Sequence, residues 1–310
     1  MTESARDSRV NISRRSALGC CVATLATHGI RSAQLPECLV DTHLHCFAGP
    51  SDPRFPYHAD APYRPLDAAT PQHLISCMDA AGVDHAIVVH PEPYQDDHRY
   101  LEYCLQHGRG RLKGTCLFFA DDPTATQRLQ QLSERADLVA ARIHAYAPGR
   151  LPPFGTPELR QYWRTAGESG LAIQLHFEPR YSSAFEPLIR EFPDFPVLID
   201  HLGRPFQGTA DEHATVIRWG KLPNTIIKLS SIPSPLKYPH RDPAQTIRRL
   251  CDSYGPSRMM YGGGFNAAAD GNSYRAAFER GRSYLDHWSA DEQAQVLGEN
   301  ARRLFRFGEV

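Results

Sequence analysis

Long apolar runs are absent. No stretch reaches the roughly 18 to 20 residues a helix needs to cross a bilayer, so no membrane span is expected. Net charge is nearly absent too: 34 Lys and Arg face 35 Asp and Glu, for a formal charge of -1. A general attraction to nucleic acid or anionic lipid is therefore not expected. The eight cysteines contain no CxxC pair and no zinc-knuckle spacing. Most of Cys38, Cys46, Cys77, Cys104, Cys116 and Cys251 sit in apolar surroundings, where the residue acts as a small buried hydrophobe. A disulfide framework is not expected in a domain of this length. No glycine-rich phosphate loop follows the first β-rich run, so nothing supports a dinucleotide fold. Lysine is scarce, with four in 310 residues. That scarcity draws attention to a lysine inside an apolar run.

What is present falls into two parts. Ser13-Arg14-Arg15-Ser16-Ala17-Leu18-Gly19 precedes small and apolar residues through Ala26. The segment resembles a twin-arginine export signal. The reading is a leader over residues 1–34, a periplasmic product, and a cytoplasmic one if the signal does not function. The remainder, residues 35–310, alternates short β-rich runs with helical segments. The runs are Leu39–His45, His85–His90, Leu112–Ala120, Leu138–His144, Leu171–Phe177, Pro196–His201, Thr225–Ser230 and Arg258–Gly262. Several are apolar almost throughout, as strands buried on both faces should be. Thr70-Pro71, Asp121-Asp122-Pro123, Thr156-Pro157 and Asp242-Pro243 read as helix starts, with an N-cap followed by proline. Eight βα units predict an α/β fold, a (β/α)8 barrel. The long segment from Phe47 to about Ala69 follows the first strand and is expected over the barrel mouth.

Histidine marks the strand ends. His43 and His45 end the first run and share a face, because side chains alternate along a strand. Two such imidazoles either bind one divalent ion or are bonded to backbone groups. His90, His144, His176 and His201 end four other runs. Polar groups converging at one barrel mouth are the layout of an active site, so His43, His45, His176 and His201 are expected at one end of a closed barrel. Lys228 interrupts Ile226-Ile227-Lys228-Leu229. It either faces inward with Ser230, offering charge to a carboxylate, or lies outward between helices. Arg142 and Arg204 are further carboxylate-binding candidates.

Together, Val40-Asp41-Thr42-His43-Leu44-His45, Gln174-Leu175-His176, Ile199-Asp200-His201-Leu202-Gly203-Arg204-Pro205, Ile227-Lys228-Leu229-Ser230 and Val296–Phe305 resemble the amidohydrolase-related family, and within it the lactonase-like branch. The resemblance covers about residues 38–308. It implies a barrel hydrolase in which His43, His45 and His176 hold a divalent metal, zinc or manganese. It also implies that His201 binds the metal or polarises the substrate, and that Lys228 and Arg204 lie near the substrate. The sequence departs from the family at Gly264, where an eighth-strand Asp usually acts as base and metal ligand. Weak metal retention, or none, follows from that loss. Asp270, His144 or a metal-bound hydroxide remain as bases.

The function expected is hydrolysis of a small carboxylated or polyhydroxylated lactone, with His201 and Lys228 catalytic and Arg142, His144 and Arg204 contacting the substrate. A metal-dependent decarboxylase and a non-catalytic ligand-binding barrel are the alternatives. A small molecule is the expected partner, with no nucleic acid or membrane, and a homo-oligomer is compatible with the sequence.

Overall fold

The computed structural model describes residues 36, 38–146, 151–232 and 242–308. The export signal expected over 1–34 lies outside the described residues. Eight parallel strands run in sequence order: β1 Val40–Leu44, β2 His85–Val89, β3 Leu112–Leu117, β4 Leu138–Ala145, β5 Ala172–Phe177, β6 Val197–Ile199, β7 Thr225–Leu229 and β8 Met259–Tyr261. Each expected run coincides with one of them, β4 running one residue past His144. β8 meets β1 where Thr42 Oγ1 donates to the Tyr261 carbonyl at 2.7 Å, bringing the sheet round into a barrel. Gly262 permits this approach, since a Cβ there would lie 2.7 Å from His43 Cβ and 2.8 Å from its amide.

The barrel interior is layered, as alternating strand residues require. β4 and β5 pair Ala140 with Ala172, Arg142 with Gln174, and His144 with His176. Small residues thus occupy the floor, long polar groups the middle and imidazoles the mouth. Val40, Ile87, Val89, Leu198 and Met260 add to the apolar floor, which Phe305 and Phe307 close from below.

The helices expected from their starts are α1 Pro71–Ala81, α3 Ala125–Arg135, α4 Pro157–Glu168 and α7 Pro243–Tyr254. Thr70 accepts from the His73 amide, and Gly82 ends α1 in the left-handed conformation that lets the chain leave. Asp242 accepts from the Ala244 amide. Between them lie α2 Arg99–Gly108, α5 Ser182–Glu191, α6 Ala210–Trp219 and α8 Gly271–Ser283. A helical segment over Ala290–Leu304 ends the fold. Its Asn300 donates to the Met259 and Pro256 carbonyls at 2.9 and 2.7 Å, so the Gly298-Glu299-Asn300 signature tethers β8. No helix among the described residues is long and apolar enough to cross a membrane.

Candidate active site at the barrel mouth

Five imidazoles form a continuous arc across the strand ends. Ring centroids are 5.3 Å apart for His45 and His43, 4.3 Å for His43 and His201, 5.3 Å for His201 and His176, and 5.0 Å for His176 and His144. His43, His45 and His201 line a cavity of about 610 Å³, walled by Pro65, Leu66 and Asp67 from the long segment after β1. Phe47 and Ala69 anchor that segment as an antiparallel bridge. His201 also faces an adjoining recess of about 240 Å³ with His176, Arg204 and Ser231.

Burial keeps these rings neutral near pH 7. It lowers the pKa of His45 and His144 to about 4 and of His201 to about 3, and it holds His43 and His176 well below the ordinary imidazole value. Their tautomers follow from their partners. His45 Nδ1 lies 2.8 Å from the Val89 carbonyl, which can only accept, so Nδ1 carries the hydrogen and Nε2 the lone pair. His43 Nδ1 faces Asp200 Oδ1 at 3.2 Å, and its buried Nε2 has no hydrogen-bond partner among the described residues. Ser230 Oγ sits 2.9 Å from His201 Nδ1 and accepts from the His201 amide at 3.1 Å.

The turn that aims His201 is strained. His201, Leu202, Gly203 and Arg204 all have φ between 53° and 69°. The three non-glycine members each cost roughly 1–2 kcal/mol relative to ordinary backbone. Such strain is a feature of functional sites. A Cβ at Gly203 would lie 2.7 Å from Val216, so this step of the turn also needs glycine for space.

Beneath the arc lies Asp200, fully buried. Arg142 contacts its Oδ2 through Nε at 3.0 Å and Nη2 at 2.9 Å. Gln174 Nε2 donates to both oxygens at 3.0 Å, and Lys228 Nζ lies 3.6 Å from Oδ1. Burial opposes the charge of Asp200, but His43, Arg142 and Lys228 outweigh it and hold the carboxyl well below the usual range. Lys228 also donates to the Thr42 carbonyl at 2.9 Å, and burial lowers its pKa to about 8. Asp41 accepts from the His43 and Gly263 amides at 2.9 and 2.7 Å and from Tyr274 Oη at 2.8 Å.

Several expectations change here. Lys228 does face inward, yet it is fully buried and bound to Asp200 and Thr42 rather than offered to a substrate. Arg142 is likewise engaged with Asp200. Arg204 does border a recess, stacked 5.8 Å from the Tyr146 ring. His90 lies apart from the arc and bonds the Gln95 carbonyl at 2.8 Å. Asp270 is exposed and caps α8 by accepting from the Ser273 amide at 2.7 Å, so it is not placed as a base. Gly264 has φ of 118°, and a Cβ there would lie 2.7 Å from Ala277 Cβ and 3.0 Å from the Tyr274 ring, in space α8 already fills at the wall of the mouth cavity. Gly263 has open space instead.

Sequence reading assigned no role to Asp200 or Glu92. Asp200 had a signal, an acid ending an apolar run, which must be matched by buried cations or donors. Glu92 follows β2 in a short turn and lies 3.2 Å from His144 Nδ1. Burial opposes its charge, yet His144, Tyr146 and Arg142 lower its pKa to about 2.

His43, Asp200 and His201 can each offer one ligand atom, all within 4.8 Å of one another. The neutral imidazoles suit a divalent ion, and the partnerless His43 Nε2 fits such a role. Asp200 suits it less well, because its charge already faces Arg142 and Lys228.

A family model described as Amidohydrolase matches residues 40–307. The chain is 25% identical over 289 residues to an L-fucono-1,5-lactonase of Burkholderia ambifaria, covering 86% of this chain and 95% of that one. It superposes with a TM-score of 0.73 and 23% identity on an Acinetobacter baumannii structure described as a "probable 2-pyrone-4,6-dicarboxylic acid hydrolase" with citric acid bound, covering 87% of this chain and 99% of that one. A Burkholderia multivorans amidohydrolase with bound zinc gives a TM-score of 0.70 at 17% identity, covering 87% and 100%. With that family model spanning residues 40–307, and with eight βα units and a histidine-lined mouth in agreement, the chain belongs to the amidohydrolase family.

Proposed function

We propose that the protein hydrolyses a small lactone or related cyclic ester, carboxylated or polyhydroxylated. One observation carries the reading: an arc of neutral, buried imidazoles, led by His201 on a strained turn, of which His43, His45 and His201 line a cavity of about 610 Å³ that can take a small molecule. The kinship to a fuconolactonase supports it. In this reading the ester carbonyl lies beside His43 and His201. His201 stabilises the oxygen on which charge develops, its ring steadied by Ser230. Arg204 anchors a carboxylate or hydroxyl group from the adjoining recess. Arg142 and Lys228 act from below by fixing Asp200, which in turn orients His43.

His43, with His45 and His176 in the same arc, would hold a divalent ion, leaving the second ring nitrogen of His201 for the substrate oxygen. Bound there, zinc or manganese would supply Lewis acidity toward the carbonyl. The test is ring opening of a panel of aldonolactones and pyrone carboxylates, followed by NMR, with metal-stripped protein and with zinc or manganese added. Opening of at least one member is expected. Tight binding without turnover under every metal condition would favour a non-catalytic barrel.

Export is proposed from Arg14 and Arg15. Replacing both with Lys should retain the protein in the cytoplasm on cell fractionation, and unchanged export would refute the signal.

A further inference from the structure

The mouth cavity and the adjoining recess meet at two residues. His43 lines the first space and His176 the second, and the His201 ring lies between them, 4.3 Å from one centroid and 5.3 Å from the other. Among the described residues, His201 and Ser231 are the two that line both spaces. Ser231 stands on the turn after β7. Its neighbour Ser230 is buried, with its hydroxyl committed to His201 Nδ1 at 2.9 Å. Ser231 is exposed instead, and its hydroxyl meets no hydrogen-bond partner among the described residues.

The backbone of Ser231 has φ of 49°, a conformation that crowds a Cβ and that glycine takes freely. Seven non-glycine residues have positive φ among the described residues, and four of them, His201, Leu202, Arg204 and Ser231, line this recess. Strain of this kind gathers at functional sites. His201 and Arg204 each aim a side chain at the site, and Leu202 is buried in the core. Ser231 does neither, and a glycine would make the same turn without strain. What a serine adds there is the hydroxyl. Charge limits what that hydroxyl meets. The described lining of the mouth cavity carries one acid, Asp67, and one cation, Arg280, whose Nη2 donates to the Ile232 carbonyl at 3.2 Å. With the imidazoles neutral, this lining offers no net positive charge to a carboxylate beyond the one Arg204 takes in the recess.

We infer that Ser231 is a specificity residue whose hydroxyl hydrogen-bonds a ring hydroxyl of a lactone lying across the junction; the inference rests on the lactone-hydrolase reading and narrows it to polyhydroxylated rings over dicarboxylates. In that pose the ester carbonyl lies beside His201 and a polar substituent reaches Arg204. Ser231 touches the ring away from the breaking bond, so it selects which lactone is opened.

Two experiments test this. In the first, kcat and KM are measured for an aldonolactone and for analogues that each lack one ring hydroxyl, with native protein, Ser231→Ala and Ser231→Gly. Ser231→Ala should lower kcat/KM for the full lactone about 2- to 10-fold, the scale of one neutral hydrogen bond, mainly through KM. For one deoxy analogue it should change nothing, because the hydroxyl that Ser231 reads is already gone. A merely structural change does not produce that non-additivity. Ser231→Gly should show the same losses and melt above Ser231→Ala, since glycine relieves the strain. Equal losses across the lactone and all its analogues, or no loss at all, overturn the inference. The second experiment needs no turnover. Calorimetry measures binding of the corresponding aldonolactam, which Ser231→Ala should weaken by a similar factor. If the native protein opens no lactone but binds the lactam through the Ser231 hydroxyl, the lactone-hydrolase reading fails and the contact stands. If lactones are opened and the lactam is bound equally by both proteins, the contact fails and the reading stands. Neither turnover nor lactam binding would sink both.

Discussion

Two groups of buried histidines sit close together and behave differently. In the mouth arc, His43, His144 and His176 each keep a ring nitrogen without a hydrogen-bond partner among the described residues. Below and beside it, His90 and His98 stack at 4.1 Å. His98 has both nitrogens engaged: Nδ1 lies 3.0 Å from the Asp96 carbonyl, and Nε2 accepts from the Leu117 amide at 3.0 Å. His90 Nε2 bonds the Gln95 carbonyl, while its buried Nδ1 has no hydrogen-bond partner among the described residues. Both groups are neutral because burial disfavours the cation. Burial at a strand end therefore does not identify a site residue. Nor does an unbonded nitrogen, since His90 Nδ1 is as partnerless among the described residues as His43 Nε2. Position does: His43, His45 and His201 line the mouth cavity, whereas His90 and His98 tie a loop to the sheet.

The strongest way to break this contrast is to remove the group beneath the arc. Asp200→Ala would strand Arg142 and Lys228 as buried cations, and breaking such a set costs roughly 3–5 kcal/mol. Urea denaturation should show that loss together with loss of activity. Asp200→Ala with native stability would mean the ion pairs carry no weight.

His201→Ala and His98→Ala separate the two groups. The first should lower kcat by about 10²- to 10³-fold, as for loss of one donor to a developing oxyanion, with stability close to native. The second should leave kcat unchanged and cost roughly 1–3 kcal/mol, since it strands the Leu117 amide. Paired kinetics and denaturation check both, and equal effects on kcat would erase the distinction.

Acid should act on both groups. Burial lowers the folded-state pKa of His90 to about 4, from an ordinary value of 6.5. The unfolded chain therefore binds the proton first. The stability this histidine supports is complete above pH 6.5 and falls as the pH drops toward 4, by up to about 3 kcal/mol. His45 and His144 follow the same direction. The melting temperature should fall between pH 7 and pH 4, and His90→Asn should flatten that slope. A flat profile in the native protein would contradict neutral burial.

The smallest effect is expected at the glycines. Gly264→Asp forces a side chain into Ala277 and Tyr274 at a positive φ, with an expected loss of about 1–3 kcal/mol. It should not raise metal content, because Ala277 and Tyr274 fill the space its Cβ would take. Metal analysis and thermal denaturation check this, and a gain in bound metal would show that the loop re-aims.

The sequence by itself determined the eight strands and where their histidines fall. A strand buried on both faces must be apolar along its length, and a parallel βα repeat puts every strand end at one mouth. Helices with a strong start were equally legible, as Thr70-Pro71 and Asp242-Pro243 show. α2 and α5 were not, because His98 and Tyr181 at their starts make no side-chain cap. α6 and α8 carry capping boxes, at Thr209 with Glu212 and at Asp270 with Ser273, without the proline that marks the other starts. Only the tertiary structure decided what Lys228, Arg142 and Glu92 do. Arg142 meets Asp200 across 58 positions of chain, and Lys228 meets the Thr42 carbonyl across 186. Local pattern constrains which face a side chain takes, but the partner of a buried charge is set by closure of the barrel, which brings distant strands within hydrogen-bonding distance.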